Sequence, residues 1–276
     1  MSNNVSIVIP VYNEAEPLEA CLQAIAEQTV KPLEVIVVDN NSTDKSREVA
    51  QKFAFVRVIN EKRQGIVFAR NAGFDAVQGE IIGRIDADIR LPEGWVEHVQ
   101  SFYAQATNQQ LAWTGAGYFY NVPLPNLVSW TYRMLAFGLN WLLIGHCTLW
   151  GSNMAVRKDH WRQVRANIHL RTDIHEDLDL AMHLRANGIG IKYDSSIKTN
   201  ARMGRVLTNR GQLWSYLQWW PRTLRVHGKW SWPIVWFFGA FLLYGATYIL
   251  VFTDWLKSRL SNDSLPELEN SRSQWF

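Results

Sequence analysis

Cysteine is scarce in this chain of 276 residues: there are two, Cys21 and Cys147, in a predicted helix and an apolar stretch, with nothing to suggest that they pair. That excludes a disulfide scaffold and a paired-cysteine metal site, and a reducing cytoplasm is the simpler setting. There is little excess charge either: Lys and Arg number 28 against 25 Asp and Glu, and a formal net charge of +3 is too small to imply a nucleic-acid partner. There is no H-E-x-x-H run, so His146, His175 and His183 match no common transition-metal signature and read as ordinary histidines. Gly115-Ala116-Gly117 and Gly188-Ile189-Gly190 each lack the third glycine after a strand, which argues against a dinucleotide-binding dehydrogenase. No basic n-region precedes the first apolar run, so a cleaved signal peptide is not indicated.

What the chain does have is a pair of carboxylates at a strand end. Asp86-Ala87-Asp88 closes the apolar segment Ile81-Ile82-Gly83-Arg84-Ile85 and precedes the loop signal Leu91-Pro92-Glu93-Gly94. In α/β sheets ligands bind beyond the carboxyl ends of parallel strands, and hard divalent cations take carboxylate and diphosphate oxygens together. A nucleoside diphosphate is the implied ligand, with a solvated turn as the bland alternative. Upstream, the β-branched run from Val5 ends in Pro10-Val11-Tyr12-Asn13-Glu14 and reads as a first strand. Leu18, Cys21, Leu22 and Ile25 fall at helical spacing within Glu16 to Gln28, and Val30-Lys31-Pro32 stops that helix. A continuous apolar strand follows, Leu33 to Asp39, ending in the polar turn Asn40-Asn41-Ser42-Thr43-Asp44. A helix over Thr43–Lys52 and a third strand over Val56–Ile59 complete the alternation, which predicts a doubly wound sheet.

Five motifs in this order resemble the family 2 glycosyltransferases with the GT-A fold. They are Pro10 to Glu14, Asp39 to Asp44, Gly65 through Ala69-Arg70-Asn71-Ala72-Gly73, Asp86-Ala87-Asp88, and His175-Glu176-Asp177-Leu178-Asp179-Leu180. The resemblance covers residues 5 to about 200 and implies a Rossmann-like, mixed but mostly parallel sheet flanked by helices. It implies a nucleotide-sugar site built from Pro10, Tyr12, Glu14, Asp39, Asn41, Gly65, Arg70, Asn71, Asp86, Ala87 and Asp88. Tyr12 and Glu14 would lie beside base and ribose, Asp39 would accept from the base, and Arg70 and Asn71 would meet the diphosphate or ribose. Asp86 would face the ribose and Asp88 would bind a divalent cation, Mg²⁺ or Mn²⁺. Helix capping is the rival role for Asp39, and a surface position the rival for Arg70.

The Glu-Asp motif implies a catalytic base, Asp177 before Glu176, that deprotonates an acceptor hydroxyl and so inverts the anomeric centre. Acids in the first turn of the helix closed by Asn187-Gly188 also suit its dipole, which is their rival role. Leu149 to Arg157 resembles an acceptor-side strand and turn, with Gly151 and Asn153 allowing close backbone approach and His175 as a further acceptor-site contact. Processive synthases carry Q-x-x-R-W after the Glu-Asp motif. This chain has Gln218-Trp219-Trp220-Pro221-Arg222, so a single transfer per encounter is expected.

Composition adds a membrane. Six of fourteen tryptophans, Trp214, Trp219, Trp220, Trp230, Trp232 and Trp236, crowd one stretch, as at a lipid–water interface. No charge occurs from Trp232 to Phe252, which is long enough to span a bilayer or to lie in its surface. The expected organisation is therefore a GT-A catalytic domain over 1–204 with an interfacial helix at about 127–145, then a basic and aromatic interface segment at 205–230. A transmembrane or membrane-embedded helix over 231–253 and a polar, disordered tail over 258–276 follow. Arg205, Arg210, Arg222, Arg225 and Lys229 before the span fit a catalytic domain on the cytoplasmic side of the membrane, with pairing to lipid headgroups or a phosphorylated acceptor as their other role and Lys257 and Arg259 beyond the span as the opposing signal. The function expected is metal-dependent hexosyl transfer from a nucleotide sugar, UDP-linked by the family's habit, to a lipid-linked or membrane-proximal hydroxyl in glycoconjugate or cell-envelope synthesis. The alternatives are a polyprenyl-phosphate glycosyltransferase, whose acceptor needs no strong base, and a membrane-bound sugar-nucleotide scaffold without turnover.

Overall fold

Val5–Val11 is buried along its whole length and forms strand β1. Its side chains alternate between faces, as a strand's must, and both faces are covered: Ile7 and Ile9 join one core cluster and Val8 the other. A continuous apolar run is the sequence mark of such a two-sided strand. The computed structural model describes residues 4–120, 122, 124–202 and 210–229, with Trp236, Gly239, Gly245, Phe252 and Thr253 beyond them.

After β1 come α1 (Ala15–Ala26), β2 (Glu34–Asp39), α2 (Ser46–Gln51), β3 (Val56–Asn60), α3 (Ile66–Ala76), β4 (Ile81–Arg84) and α4 (Trp95–Ala104). The second half supplies β5 (Leu111–Phe119), α5 (Pro125–Arg133), α6 (Asn140–Ile144), β6 (Met154–Arg157), α7 (Lys158–Val164), α8 (Glu176–Ala186), β7 (Gly190–Ala201) and α9 (Arg210–Val226). The seven strands run in the order β3-β2-β1-β4-β6-β5-β7. β1 pairs parallel with β2 and β4, β2 with β3 and β5 with β7, whereas β6 is antiparallel to both its neighbours. The sheet is therefore mixed and mostly parallel. The ends of β1, β2 and β4 open on one side, where Tyr12, Asp39 and Asp86 leave the sheet.

The helix expected at about 127–145 is a helical run over 125–144, with a wider π-type stretch, Met134–Leu139, joining α5 to α6. One face buries Val128, Tyr132, Leu135, Phe137 and Leu143, while Trp130, Met134, Trp141 and Leu142 are exposed on the other.

Among the described residues no helix is long and apolar enough to cross a membrane, and the span expected over 231–253 falls largely outside them, as does the tail at 258–276. Trp236 is described, and its ring stacks on Trp220 at 5.3 Å with 6° between the planes. Both rings are buried, so these two tryptophans belong to the protein interior and not to a lipid-facing belt. The segment at 205–230 is correspondingly a docked helix where it is described: Trp220 and Leu224 are buried, and the Thr223 hydroxyl accepts from the His175 N–H at 2.8 Å.

Candidate active site

A charge inside a buried strand must find partners, and Arg84, at the end of β4 and 2 % exposed, finds three. One terminal nitrogen donates to Asp86 Oδ1 at 2.9 Å, and the other reaches Asp177 Oδ1 at 2.5 Å and Glu176 Oε1 at 3.2 Å. Asp86 also accepts from the Ser152 hydroxyl, and Asp177 Oδ2 accepts the Gly151 N–H at 2.7 Å. The two acidic motifs, ninety residues apart in the chain, thus meet on one guanidinium. Gly151 has to be glycine here, because a Cβ would fall on the Arg84 guanidinium. Arg84 and Ser152 were not anticipated from the sequence. The available signal was an arginine in the otherwise apolar run Ile81 to Ile85.

The turns after β1 and β2 lock together. Asn13, at φ 54°, accepts the Thr43 N–H at 2.8 Å, and Asp44 accepts the Ala15 N–H at 3.0 Å. Glu14 is buried there, its N–H bound to Ser46 Oγ at 2.8 Å, with Pro10 closing β1 below it. Asp39 does not cap α2, which starts at Ser46. Its Oδ1 accepts the Ser42 N–H at 3.0 Å, and Arg47 stands 3.9 Å from Oδ2. Asn41 points into the loop before α3, donating to the Lys62 carbonyl at 2.9 Å and to Gln64, which makes it a brace for that loop. Gly65, at φ 135°, opens α3 beside Thr172.

Arg70 and Asn71 lie deeper than a solvent-facing diphosphate contact would. Arg70 is fully buried and donates to the Glu176 carbonyl at 2.8 Å and to Asn71 Oδ1, so it positions the Glu-Asp motif. Asn71 Nδ2 is buried without a hydrogen-bond partner among the described residues. Asn153 is likewise fully buried, holding Trp95 Nε1 and the Ala116 carbonyl. It latches the turn that presents Gly151 and Ser152. The His175 ring packs on Trp220 at 4.5 Å, and burial pulls its pKa down to about 4.

Electrostatically the two motifs differ. Burial and then the Asp86 charge push Asp88 up to about 7, and among the described residues no side chain hydrogen-bonds to it. Two hard oxygen donors that repel each other fit a divalent cation, with Asp88 as ligand and Asp86 tied to Arg84 and Ser152. His175, Glu176 and Asp177 also cluster, but Arg84 already supplies the positive charge among them. Burial would raise Asp177, yet the Arg84 charge and the Gly151 N–H hold it below the usual carboxylate range. For Glu176, burial and then the Asp177 charge win over Arg84 and push it up to about 7.

A folded-state pKa of about 7 for Glu176 lies above the unfolded value of about 4.3. The folded state then holds the extra proton, so this stability is full below the unfolded pKa and is lost as pH rises through about 7. Glu176→Gln is expected to flatten the fall in melting temperature between about pH 4.5 and 7. An unchanged slope in that window would show Glu176 to be ionised throughout.

Carboxylates at the end of a parallel strand, a second acidic pair brought to them from α8 and an open side formed by the β1, β2 and β4 turns define a GT-A nucleotide-binding site. Residues 6–164 match the family described as Glycosyl transferase family 2, and the chain belongs to that family. Glycosyltransferase AglE of Haloferax volcanii is 39 % identical over 100 residues, 34 % of this chain and 33 % of the relative. An undecaprenyl-phosphate 4-deoxy-4-formamido-L-arabinose transferase of Pectobacterium carotovorum is 34 % identical over 111 residues, 37 % of this chain and 34 % of the relative. The matched stretch spans about a third of the length of these curated relatives. The fold resembles S. aureus TarS 1-349 in complex with UDP-GlcNAc, with a TM-score of 0.60 and 17 % identity over 81 % of this chain and 65 % of that one.

Proposed function

We propose that this protein transfers a hexosyl group from a nucleoside diphosphate sugar, UDP-linked, to the hydroxyl of a lipid-linked or membrane-proximal acceptor, once per encounter and with inversion. The observation that carries the reading is the convergence of Asp86, Glu176 and Asp177 on Arg84 beside Asp88. Tyr12, Glu14 and Asp39, at the ends of β1 and β2, would contact base and ribose. The UDP-GlcNAc held by TarS supports a uridine donor. Asp88 would hold a divalent cation, which when bound supplies positive charge to the departing diphosphate. Asp177 has both oxygens engaged by Arg84 and Gly151, but each retains a second lone pair. One of these takes the acceptor's proton as the acceptor oxygen bonds to the anomeric carbon, and the sugar–diphosphate bond breaks with its electron pair leaving on the diphosphate.

A cytoplasm-facing membrane position is part of the proposal. Its support is the apolar outer face of the 125–144 run, where Trp141 is 60 % and Leu142 70 % exposed. The test is nucleoside-diphosphate release by detergent-solubilised protein with a panel of sugar nucleotides, lipid extract and Mn²⁺. Asp88→Ala is expected to lower release about a hundredfold or more, since such charge stabilisation is worth several kcal/mol. Full release from Asp88→Ala, or from metal-free protein, would overturn the metal-dependent reading.

A second reading has its own support. A carboxylate tied to an arginine is a weak base, and a polyprenyl-phosphate acceptor needs none. The Pectobacterium relative bears the name of such a transferase.

A further inference from the structure

Three histidines that no sequence spacing connects come together on one carboxylate. Asp179 and His183 lie one turn apart on α8, so they project from the same face. His169 arrives from the loop after α7, and His227 directly follows the last residue of α9. The Asp179 side chain is fully buried, and its Oδ1 lies 2.6 Å from His169 Nδ1, 2.8 Å from His227 Nε2 and 3.5 Å from His183 Nε2. His183 Nε2 and His169 Nδ1 are 3.2 Å apart. The second oxygen, Oδ2, accepts the His169 N–H at 3.2 Å, which fixes the carboxylate's orientation. Reading His183 as an ordinary histidine missed this group, because its partners lie far along the chain.

We propose that His169, Asp179, His183 and His227 form a binding site for one divalent transition-metal ion of the zinc type, which fastens α9 to α8. As a pure hydrogen-bond cluster the group is crowded. If both His169 Nδ1 and His183 Nε2 carry protons, two N–H groups aimed at one oxygen face each other at 3.2 Å. Lone pairs converging on an ion remove that conflict. Three imidazole nitrogens and one carboxylate suit zinc, whose bonds of about 2.0–2.1 Å in a tetrahedron set donor atoms roughly 3.3 Å apart. The three nitrogens lie 2.6 to 3.5 Å from Asp179 Oδ1 and His169 Nδ1 lies 3.2 Å from His183 Nε2, while all four donor atoms lie within 4.8 Å of one another. The three imidazoles are partly sheltered, so an ion could enter without unfolding the domain.

The site uses none of Asp86, Asp88, Glu176 or Asp177. It would act on them indirectly: Asp179 lies in the first turn of α8 together with Glu176 and Asp177, and α9 also grips that turn through Thr223. Holding α9 down would therefore steady the catalytic end of α8.

The test uses the full-length, untagged protein in detergent. Metal is stripped with a chelator, Zn²⁺ is titrated back, and bound metal is counted by mass spectrometry beside the melting temperature. One equivalent per chain that raises the melting temperature is expected. It should be retained in Asp88→Ala and lost in His183→Ala and His227→Ala. His227→Cys keeps a ligand and guards against misfolded alanine variants, and with Co²⁺ it should show a thiolate-to-metal charge-transfer band absent from the wild type. No stoichiometric zinc in folded wild-type protein, zinc binding indifferent to the histidine substitutions, or no such band in folded His227→Cys would overturn the proposal.

Discussion

Replacing Arg84 with methionine is expected to cost about 3–5 kcal/mol of stability at pH 8, because it takes from two buried carboxylates the cation they both contact and leaves only Arg70 nearby. Glu176 and Asp177 are both buried, and Arg84 is the group that contacts both. Without it the two anions repel each other at low dielectric with Arg70 as the remaining buried cation beside them, and taking up a proton relieves the repulsion. The deficit should therefore shrink at pH 5, where protonation is easier, giving a pH-dependent gap between the urea midpoints of variant and wild type. Arg84→Lys should recover little of the loss. A lone ammonium cannot place one donor on Asp86 and another on Asp177 as the planar fork does. Equal gaps at pH 5 and pH 8 would mean that lost packing, not lost charge, dominates.

Arg84 also shows where the sequence is readable and where it is not. β1 and β2 could be placed because a two-sided buried strand leaves a continuous apolar run, and α8 could be closed at Asn187-Gly188 because Gly188 takes up φ 79°. The order of the glycosyltransferase motifs pointed to the cleft where Asp86 and Asp177 meet. Non-local geometry was not written locally. β6 runs antiparallel between β4 and β5, a pairing that four residues cannot announce. The depth of Arg70 follows from α3 packing under α8, and that arginine looks the same in the sequence as one facing solvent. The gathering of His169, His183 and His227 around Asp179 needs α9 to return across α8, which no spacing encodes. Trp220 and Trp236 add a further limit: a tryptophan-rich stretch reads as a lipid interface, and its spacing does not tell that these two rings stack on each other inside the protein.

Asp177→Asn is expected to lower kcat by about 10²–10⁴-fold, the usual contribution of a positioned general base, with the donor KM nearly unchanged. The asparagine oxygen can still accept from Arg84, but its amide then faces the Gly151 N–H, so an unchanged donor KM and melting temperature are what separate a missing proton acceptor from a disturbed turn. Glu176 is the competitor, because a base works best with a pKa near the operating pH and Glu176 sits at about 7. Asp177 is held well below that by Arg84, so as the base it would leave kcat/KM flat between about pH 6 and 8 at saturating divalent cation, which keeps Asp88 ionised. With Glu176 as the base, kcat/KM would fall as pH drops below about 7, and Glu176→Gln would carry the large loss. If neither substitution costs more than about tenfold, the acceptor does not need deprotonation, as a phosphate acceptor would not. The pH profile and the two variants together decide among a hydroxyl acceptor served by Asp177, a hydroxyl acceptor served by Glu176, and a lipid phosphate.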